Sequence, residues 1–208
     1  GNPTEPWSYP DAFARIRSLI LEHYRFMPYT YSCAIQAACT GCPIERMPRL
    51  EYPQDEALRS DDANTLFGDN VLKVQAVRKG LQSVTVRLPA GEGWYDPRTR
   101  TLYAGGQTVE KATPMDGQAH YFLRQGGALA STTQIAQLKT GLFAGLLFDI
   151  APSAPGRTVE TEYWEDDGRT ELLLGRVNQY CLTVTHNAVT VTRKRRGIVA
   201  APPREATL

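Results

Sequence analysis

From about residue 70 onward, glycine or Asp-Pro interrupts the chain at intervals of roughly ten residues, and this rhythm constrains the fold most strongly. The interruptions are Gly91, Gly93, Asp96-Pro97, Gly105-Gly106, Gly117 and Gly126-Gly127. Within this stretch, residues 84–88 alternate apolar and polar side chains, as in a half-buried strand. Short strands between regularly spaced turns are typical of a β-sandwich. The sequence therefore predicts a β-rich fold from about residue 70.

A second β unit is predicted from about Ile135, with a Pro-containing loop at 151–156. In this unit Trp164 leads into Asp167-Gly168, a dipeptide typical of hairpin turns. A second hairpin is predicted across 186–187, where Leu182 and Val184 would face Val191 and Val189. Beyond Gly197 the sequence is rich in Ala and Pro, and we expect a frayed end.

Residues 8–40 have helical periodicity, with Ser8 as the expected N-cap and Asp11 completing a capping box. Pro28 should kink or restart the helix, and Gly41 suits the left-handed position that ends it. Residues 29–39 are apolar nearly all round, which predicts a buried helix. The rest of the sequence offers little helix to cover it, so we expect a large partner.

Size and charge exclude several classes of function. A complete (β/α)8 barrel needs about 250 residues, and this chain has 208. The formal net charge of +1 favours neither nucleic acid nor an anionic membrane as partner, and the basic run 193–196 is best explained as a solvated strand end. The longest apolar run, 142–148, is too short to span a bilayer. The compartment stays open.

No constellation of catalytic or cofactor-binding residues stands out. A glycosidase needs two carboxylates across a sugar-sized gap, and neither Asp61-Asp62 nor the run 165–167 forms such a pair. The Cys39/Cys42 spacing lacks the preceding strand of a redox motif and the second ligand pair of a zinc site. We therefore assign no catalytic residue, cofactor or metal. Three aromatic residues are candidates for sugar contact, although an inward-facing position is commoner for each: Trp94, Tyr95 and Trp164.

Short motifs occur along the chain in a fixed order. They are Glu5-Pro6-Trp7, 23–31, Gly41-Cys42-Pro43-Ile44-Glu45-Arg46, Phe67-Gly68-Asp69, 88–96, Gly105-Gly106, 123–127 and Trp164-Glu165-Asp166-Asp167-Gly168. Their order and spacing resemble the C-terminal part of glycoside hydrolase family 31, the α-glucosidase and α-xylosidase family. The resemblance covers roughly residues 5–175.

The resemblance implies a mainly β fold with an N-terminal helical segment, divided into three parts. Residues 1–70 would be the end of a (β/α)8 barrel, with its last helix and the last strand at 43–46. Residues 71–133 would form a proximal β-sandwich, and 134–208 a partial distal β-sandwich. The family's two catalytic Asp residues lie upstream of everything present, so the resemblance places no catalytic residue on this chain.

The resulting hypothesis is a non-catalytic support region of a retaining α-glycosidase, inactive alone. Its partner would be the upstream catalytic barrel of the same polypeptide, which binds the carbohydrate substrate. Two alternatives stay open: a stand-alone carbohydrate-binding β-sandwich module, and an interaction or scaffold protein that docks through its apolar helix.

Overall fold

The computed structural model describes residues 5–61, 64–78, 80–135, 143–168 and 177–195. The helices are α1 (Pro10–Arg25), α2 (Met27–Thr40) and α3 (Pro48–Glu51), with 3₁₀ turns at Pro6–Ser8 and Glu56–Ser60. The strands are β1 (Glu45–Arg46), β2 (Thr65–Phe67), β3 (Val71–Lys73), β4 (Ser83–Arg87), β5 (Trp94–Asp96), β6 (Thr101–Tyr103), β7 (Thr108–Ala112), β8 (Tyr121–Arg124), β9 (Ala128–Thr132), β10 (Leu146–Ile150), β11 (Val159–Asp166), β12 (Val177–Val184) and β13 (Val189–Arg195). The fold is mainly β with an N-terminal helical segment, as predicted.

The helical segment begins and breaks at positions slightly different from those expected. Tyr9, not Ser8, is the N-cap, because Pro10 takes the first helical turn and needs no N–H acceptor there. The break falls at Phe26, so that Pro28 lies in the first turn of α2, where its missing N–H costs nothing. Gly41 ends α2 with φ +77°, the left-handed conformation that the sequence predicts.

Two antiparallel sheets enclose the first core. One has six strands in the order β1-β2-β3-β8-β5-β6, and the other is the β4–β7 pair. The alternation predicted for 84–88 is confirmed, since Val86 and Leu88 are completely buried while Thr85 is exposed. These side chains pack with Leu72, Trp94 and others between the two sheets. The six-stranded sheet includes β1, which pairs antiparallel with β2, unlike the parallel strands of a barrel.

The remaining strands form two further antiparallel sheets, β9–β10 and β11–β12–β13. The predicted pairing of Leu182 with Val191 and of Val184 with Val189 is confirmed. Strands β11 and β12 pair antiparallel as far as Asp166 and Val177, and the predicted turn dipeptide Asp167-Gly168 directly follows β11, with Gly168 at φ +64°. The predicted loop at 151–156 is present between β10 and β11.

Helix α2 joins the two halves of the β-rich part. Tyr29 and Cys33 are 5% exposed and share a core cluster with Val71, Leu129 and Tyr163. This confirms that the helix is buried. Backbone hydrogen bonding also crosses the boundaries expected near residues 70 and 133. Strand β2 pairs with β3 on either side of residue 70, and β9 pairs with β10 on either side of residue 133.

Candidate functional site

Helix α1 differs sharply from α2, because none of its residues is buried. Apolar side chains at Phe13, Ile20 and Tyr24 recur at helical spacing and are each more than 40% exposed. Trp7 and Tyr9, just before the helix, are exposed as well. We call the side chains of Phe13, Ile20 and Tyr24 the α1 stripe. Such a contiguous apolar surface is typical of an interaction site.

A groove of about 770 Å³ runs between α1 and the six-stranded sheet. Ile16 and Leu19 line it on the helix side, and Val71, Val74 and Leu129 line it on the opposite side. Ile16 and Leu19 also border a second, shallower depression that includes Ile20 and Tyr24. The groove is therefore continuous with the part of the α1 stripe formed by Ile20 and Tyr24.

Polar contacts fix α1 at the edge of the groove. The backbone N–H of Ala119 donates to Glu22 Oε2 at 2.6 Å, and Arg25 forms an ion pair with Asp149 at 3.6 Å. Gly117 packs directly against α1, since a Cβ there would lie 3.0 Å from the Cα of Arg15. Gly117 also has φ +77°, so glycine is needed for both space and backbone conformation. The helix is held in place although its apolar stripe is uncovered.

Two polar atoms lining the groove have no hydrogen-bond partner among the described residues. They are Thr113 Oγ1 and His120 Nδ1, and Thr113 is 2% exposed. Buried polar groups in folded proteins almost always find a partner. Burial, reinforced by the positive charge of Arg98, lowers the pKa of His120. The groove is therefore an apolar surface with places for hydrogen-bonding groups.

The depressed pKa of His120 predicts a pH-dependent stability. The unfolded chain binds a proton at His120 more readily, so its contribution is present above about pH 6.5 and is lost as the pH falls through the folded-state pKa. The unmodified chain should lose unfolding free energy between pH 7.5 and 5.5. We expect this loss to be smaller in His120→Gln, by at most about 1.4 kcal/mol per pH unit. Urea titrations at several pH values measure this. Identical pH profiles for the variant and the unmodified chain would contradict it.

A second polar arrangement connects α2 to both halves of the β-rich part. The Tyr29 hydroxyl donates to Phe67 O at 2.9 Å and accepts from Asn70 N–H at 3.1 Å. On the next turn, Ser32 Oγ accepts from the backbone N–H of Trp164 at 2.9 Å. The Tyr31 hydroxyl donates to Asp166 at 2.7 Å. Burial and this hydrogen bond to a carboxylate raise the pKa of Tyr31 to about 12.

Asn70 extends the same arrangement into the sheets. Its Nδ2 donates to Ala128 O at 3.0 Å and to Thr161 Oγ1 at 2.6 Å, and the residue is 7% exposed. One side chain thus joins the start of β3 to β9 and β11. The arrangement is structural, because it ties backbone segments together and leaves no group free to react.

We expect Asn70→Ala to lower the free energy of unfolding by about 2–3 kcal/mol, since two buried acceptors lose their donor. Chemical denaturation followed by circular dichroism measures the change. Asn187→Ala is the matched control because Asn187 is exposed, and it should change stability by less than about 0.5 kcal/mol. Equal effects of the two substitutions would contradict the role assigned to Asn70.

The acidic residues considered at the sequence level have structural partners. Asp61 accepts from the backbone and side chain of Asn64, while Asp62 lies outside the described residues. Glu165 is fully buried and accepts from Asn178 and Tyr180. Asp166 holds Tyr31 and the N–H of Gly168.

The four cysteines are free thiols. Cys33 and Cys181 are buried, Cys42 is half-buried, and Cys39 is exposed at the end of α2. Burial raises the pKa of Cys33 to about 12, so this thiol stays protonated and unreactive. Within the described part of the chain, no cluster of three or more metal-ligating side chains occurs. No described helix has the length and hydropathy to cross a membrane.

The three aromatic residues considered for sugar contact lie in different environments. Trp94 is fully buried, and its indole N–H donates to Pro89 O at 3.0 Å. Tyr95 is half-buried against the α2 core. Trp164 is half-buried and borders a surface pocket. Sequence reasoning missed Asn70, Thr113 and His120 as features of the interior, because their polar character alone predicts exposure.

Comparisons with known proteins agree with this architecture. The model of the Glycosyl hydrolase family 31 C-terminal domain matches residues 41–129. The structure superimposes on the family 31 dextranase of Flavobacterium johnsoniae, solved with glucose, with a TM-score of 0.85 and 26% identity. This match covers 99% of the chain and 26% of the dextranase. The sequence of residues 41–129 and the fold of the chain therefore both match the C-terminal region of glycoside hydrolase family 31 proteins.

Curated relatives show how much of a family 31 protein this chain represents. A probable glucan 1,3-alpha-glucosidase of Arabidopsis thaliana is 35% identical over 111 residues, which are 53% of this chain and 12% of the relative. A protein of the same description from rice (Oryza sativa subsp. japonica) is 27% identical over 80% of this chain and 18% of its own length. The matched part of this chain therefore spans less than a fifth of each of these two relatives, and the family model that it matches describes a C-terminal domain.

Proposed function

We propose that this chain is a non-catalytic support region of a retaining α-glycosidase and that α1 and its groove dock against the catalytic barrel of the same polypeptide. The observation that carries the proposal is the α1 stripe, a set of apolar side chains on a helix with no buried residue. The parent enzyme would act on α-glucosidic or α-xylosidic bonds in oligosaccharides.

In this proposal α1 and α2 have different tasks. Helix α1 offers apolar surface to the barrel, while α2 anchors the helical segment to the sheets through Tyr29 and Ser32. Barrel active sites depend on loops at one end of the barrel, and their geometry must hold to about an ångström. A rigid support packed against the barrel would preserve that geometry. Within it, the helical part of 1–70 would complete the barrel, 71–133 would be the proximal sandwich together with β1 and β2, and 134–208 the distal one.

The position of the stripe also bears on the alternatives. A stand-alone carbohydrate-binding module presents exposed aromatic rings on its sheets, whereas the α1 stripe lies on a helix beside an apolar groove. Docking to a protein surface therefore accounts for it better. A scaffold protein would use the same surface for a separate chain. The barrel is favoured because the relatives named above are described as glucosidases and as a dextranase, and this chain spans only a small part of each.

The test compares the 208-residue chain with the whole polypeptide that its gene encodes, using p-nitrophenyl α-glucoside and α-xyloside. We expect turnover by the whole polypeptide and none by the 208-residue chain, because the resemblance to family 31 implies that both catalytic Asp residues lie upstream of it. Turnover that follows the 208-residue chain through purification would refute the proposal. So would a gene that encodes no barrel upstream, in which case the scaffold or binding alternatives would stand.

A further inference from the structure

A further pocket of about 330 Å³ lies where the end of α2 meets β11 and the β1–β2 region. Its polar lining combines an amide, a hydroxyl, two carboxylates and an indole: Gln36, Thr40, Asp69, Glu162 and Trp164, with Arg46 behind Asp69. Ligand pockets in proteins start at about 300 Å³. The size suits one or two sugar rings.

Trp164 forms the aromatic side of this pocket. Along β11, Tyr163 points inward and packs edge-on against Phe148. Its two neighbours, Glu162 and Trp164, lie on the opposite, more exposed face of the strand. None of the ring–ring contacts in the described residues involves Trp164. Its indole N–H donates to Glu162 Oε2 at 3.0 Å, which fixes the ring at the pocket edge.

Both carboxylates are held in place before any ligand arrives. Glu162 accepts from Gln179 Nε2 at 2.8 Å as well as from Trp164. Asp69 Oδ1 accepts from Arg46 Nη2 at 2.7 Å, and Arg46 is itself 7% exposed and held by Glu51. The Asp69 side chain is 62% exposed and that of Glu162 38%, so both can still accept hydrogen bonds from a ligand.

We propose that this pocket binds a neutral saccharide, with one pyranose ring stacked on Trp164 and its hydroxyl groups donating to Glu162 and Asp69. An aromatic face offers a flat apolar platform to the C–H groups of a pyranose ring, and carboxylates are strong acceptors for hydroxyl groups. The same carboxylates would repel an anionic ligand. Gln36, on α2, adds an amide that both donates and accepts.

The proposed site does not depend on the docking of α1, since the linings of the groove and of this pocket share only Ile44 and no residue of α1 lines the pocket. It would hold a substrate chain near the enzyme without taking part in catalysis. The site is therefore testable on the 208-residue chain even if the support function proves wrong. Weak binding, with a Kd on the order of 1–10 mM, is expected for so few hydrogen bonds.

The experiment titrates the 208-residue chain with maltose, isomaltose and xylobiose and follows the three indole N–H signals by NMR. We expect the Trp164 signal to shift with at least one sugar and those of Trp7 and Trp94 to stay constant. Trp164→Ala should weaken binding at least about tenfold, equivalent to 1.4 kcal/mol. Glu162→Gln should weaken it less, because the amide oxygen still accepts a hydrogen bond.

Trp7→Ala is the matched control, because Trp7 is 72% exposed and lies far along the chain from the pocket lining. It should leave the affinity unchanged. Trp164→Phe keeps an aromatic platform and serves as the second variant if the alanine variant does not fold. No shift of the Trp164 signal at sugar concentrations on the order of 50 mM would overturn the proposal. Binding lost in Trp7→Ala but retained in both Trp164 variants would overturn it too.

Discussion

Trp94→Ala is expected to lower the free energy of unfolding by about 3–5 kcal/mol, the range for removing a fully buried aromatic side chain. Trp94 is 0% exposed and lies in the core between the six-stranded sheet and β4–β7. The substitution removes its packing against Leu72 and Phe122, and it leaves Pro89 O without the indole donor. Because domains have a total stability of only about 5–15 kcal/mol, this loss brings the chain close to unfolding.

Guanidinium titration followed by far-ultraviolet circular dichroism measures this effect. Trp7→Ala removes the same side chain from an exposed position and should change the unfolding free energy by less than about 0.5 kcal/mol. A small effect at Trp94, or equal effects at both sites, would contradict the assignment of Trp94 to the core. Trp94→Phe should lie between, since it retains the apolar ring but not the N–H.

The second large effect is expected at the α1 stripe. Ile20→Asp should lower the specific activity of the whole parent polypeptide at least about tenfold, because an unpaired carboxylate buried in an apolar interface costs several kcal/mol. In the 208-residue chain the same substitution should leave the fold intact, since Ile20 is 41% exposed there. It should also reduce any self-association of that chain, because it interrupts the apolar stripe.

Ala14→Asp is the control for this substitution. It places the same charge on an exposed position of α1 outside the stripe, and it should leave the activity nearly unchanged. Activity assays with p-nitrophenyl glycosides and light scattering of the 208-residue chain give the two readouts. Full activity of the Ile20→Asp polypeptide would show that α1 does not dock on the catalytic part.

Local periodicity was sufficient to predict much of the fold. The pairing of Val184 with Val189 follows from a short hairpin, and the burial of Val86 follows from alternation with Thr85. Both depend on neighbours a few residues apart. The break at Phe26 was displaced from expectation because a proline such as Pro28 is tolerated within the first turn of a helix.

Features set by distant partners were not predictable in this way. Alternation places Trp94 and Trp164 on strands, but it does not say which face of each strand meets a core. Only the assembled sheets bury Trp94 completely and leave Trp164 at a pocket. The resemblance indicated the family, whereas the groove with Thr113 and His120 emerged from the packing of α1 on the sheet.

The two side-chain hydrogen bonds of Asn70 can form only after the residues that accept them have been synthesised. Ala128 and Thr161 follow Asn70 by 58 and 91 positions. At about 5–20 residues per second, a ribosome needs roughly 5–20 s to complete this stretch. During that interval α2 has left the ribosome without the strands that bury it, and its apolar side chains stay open to non-native contacts. Helix α2 is therefore a segment that a chaperone could protect until these strands have been synthesised.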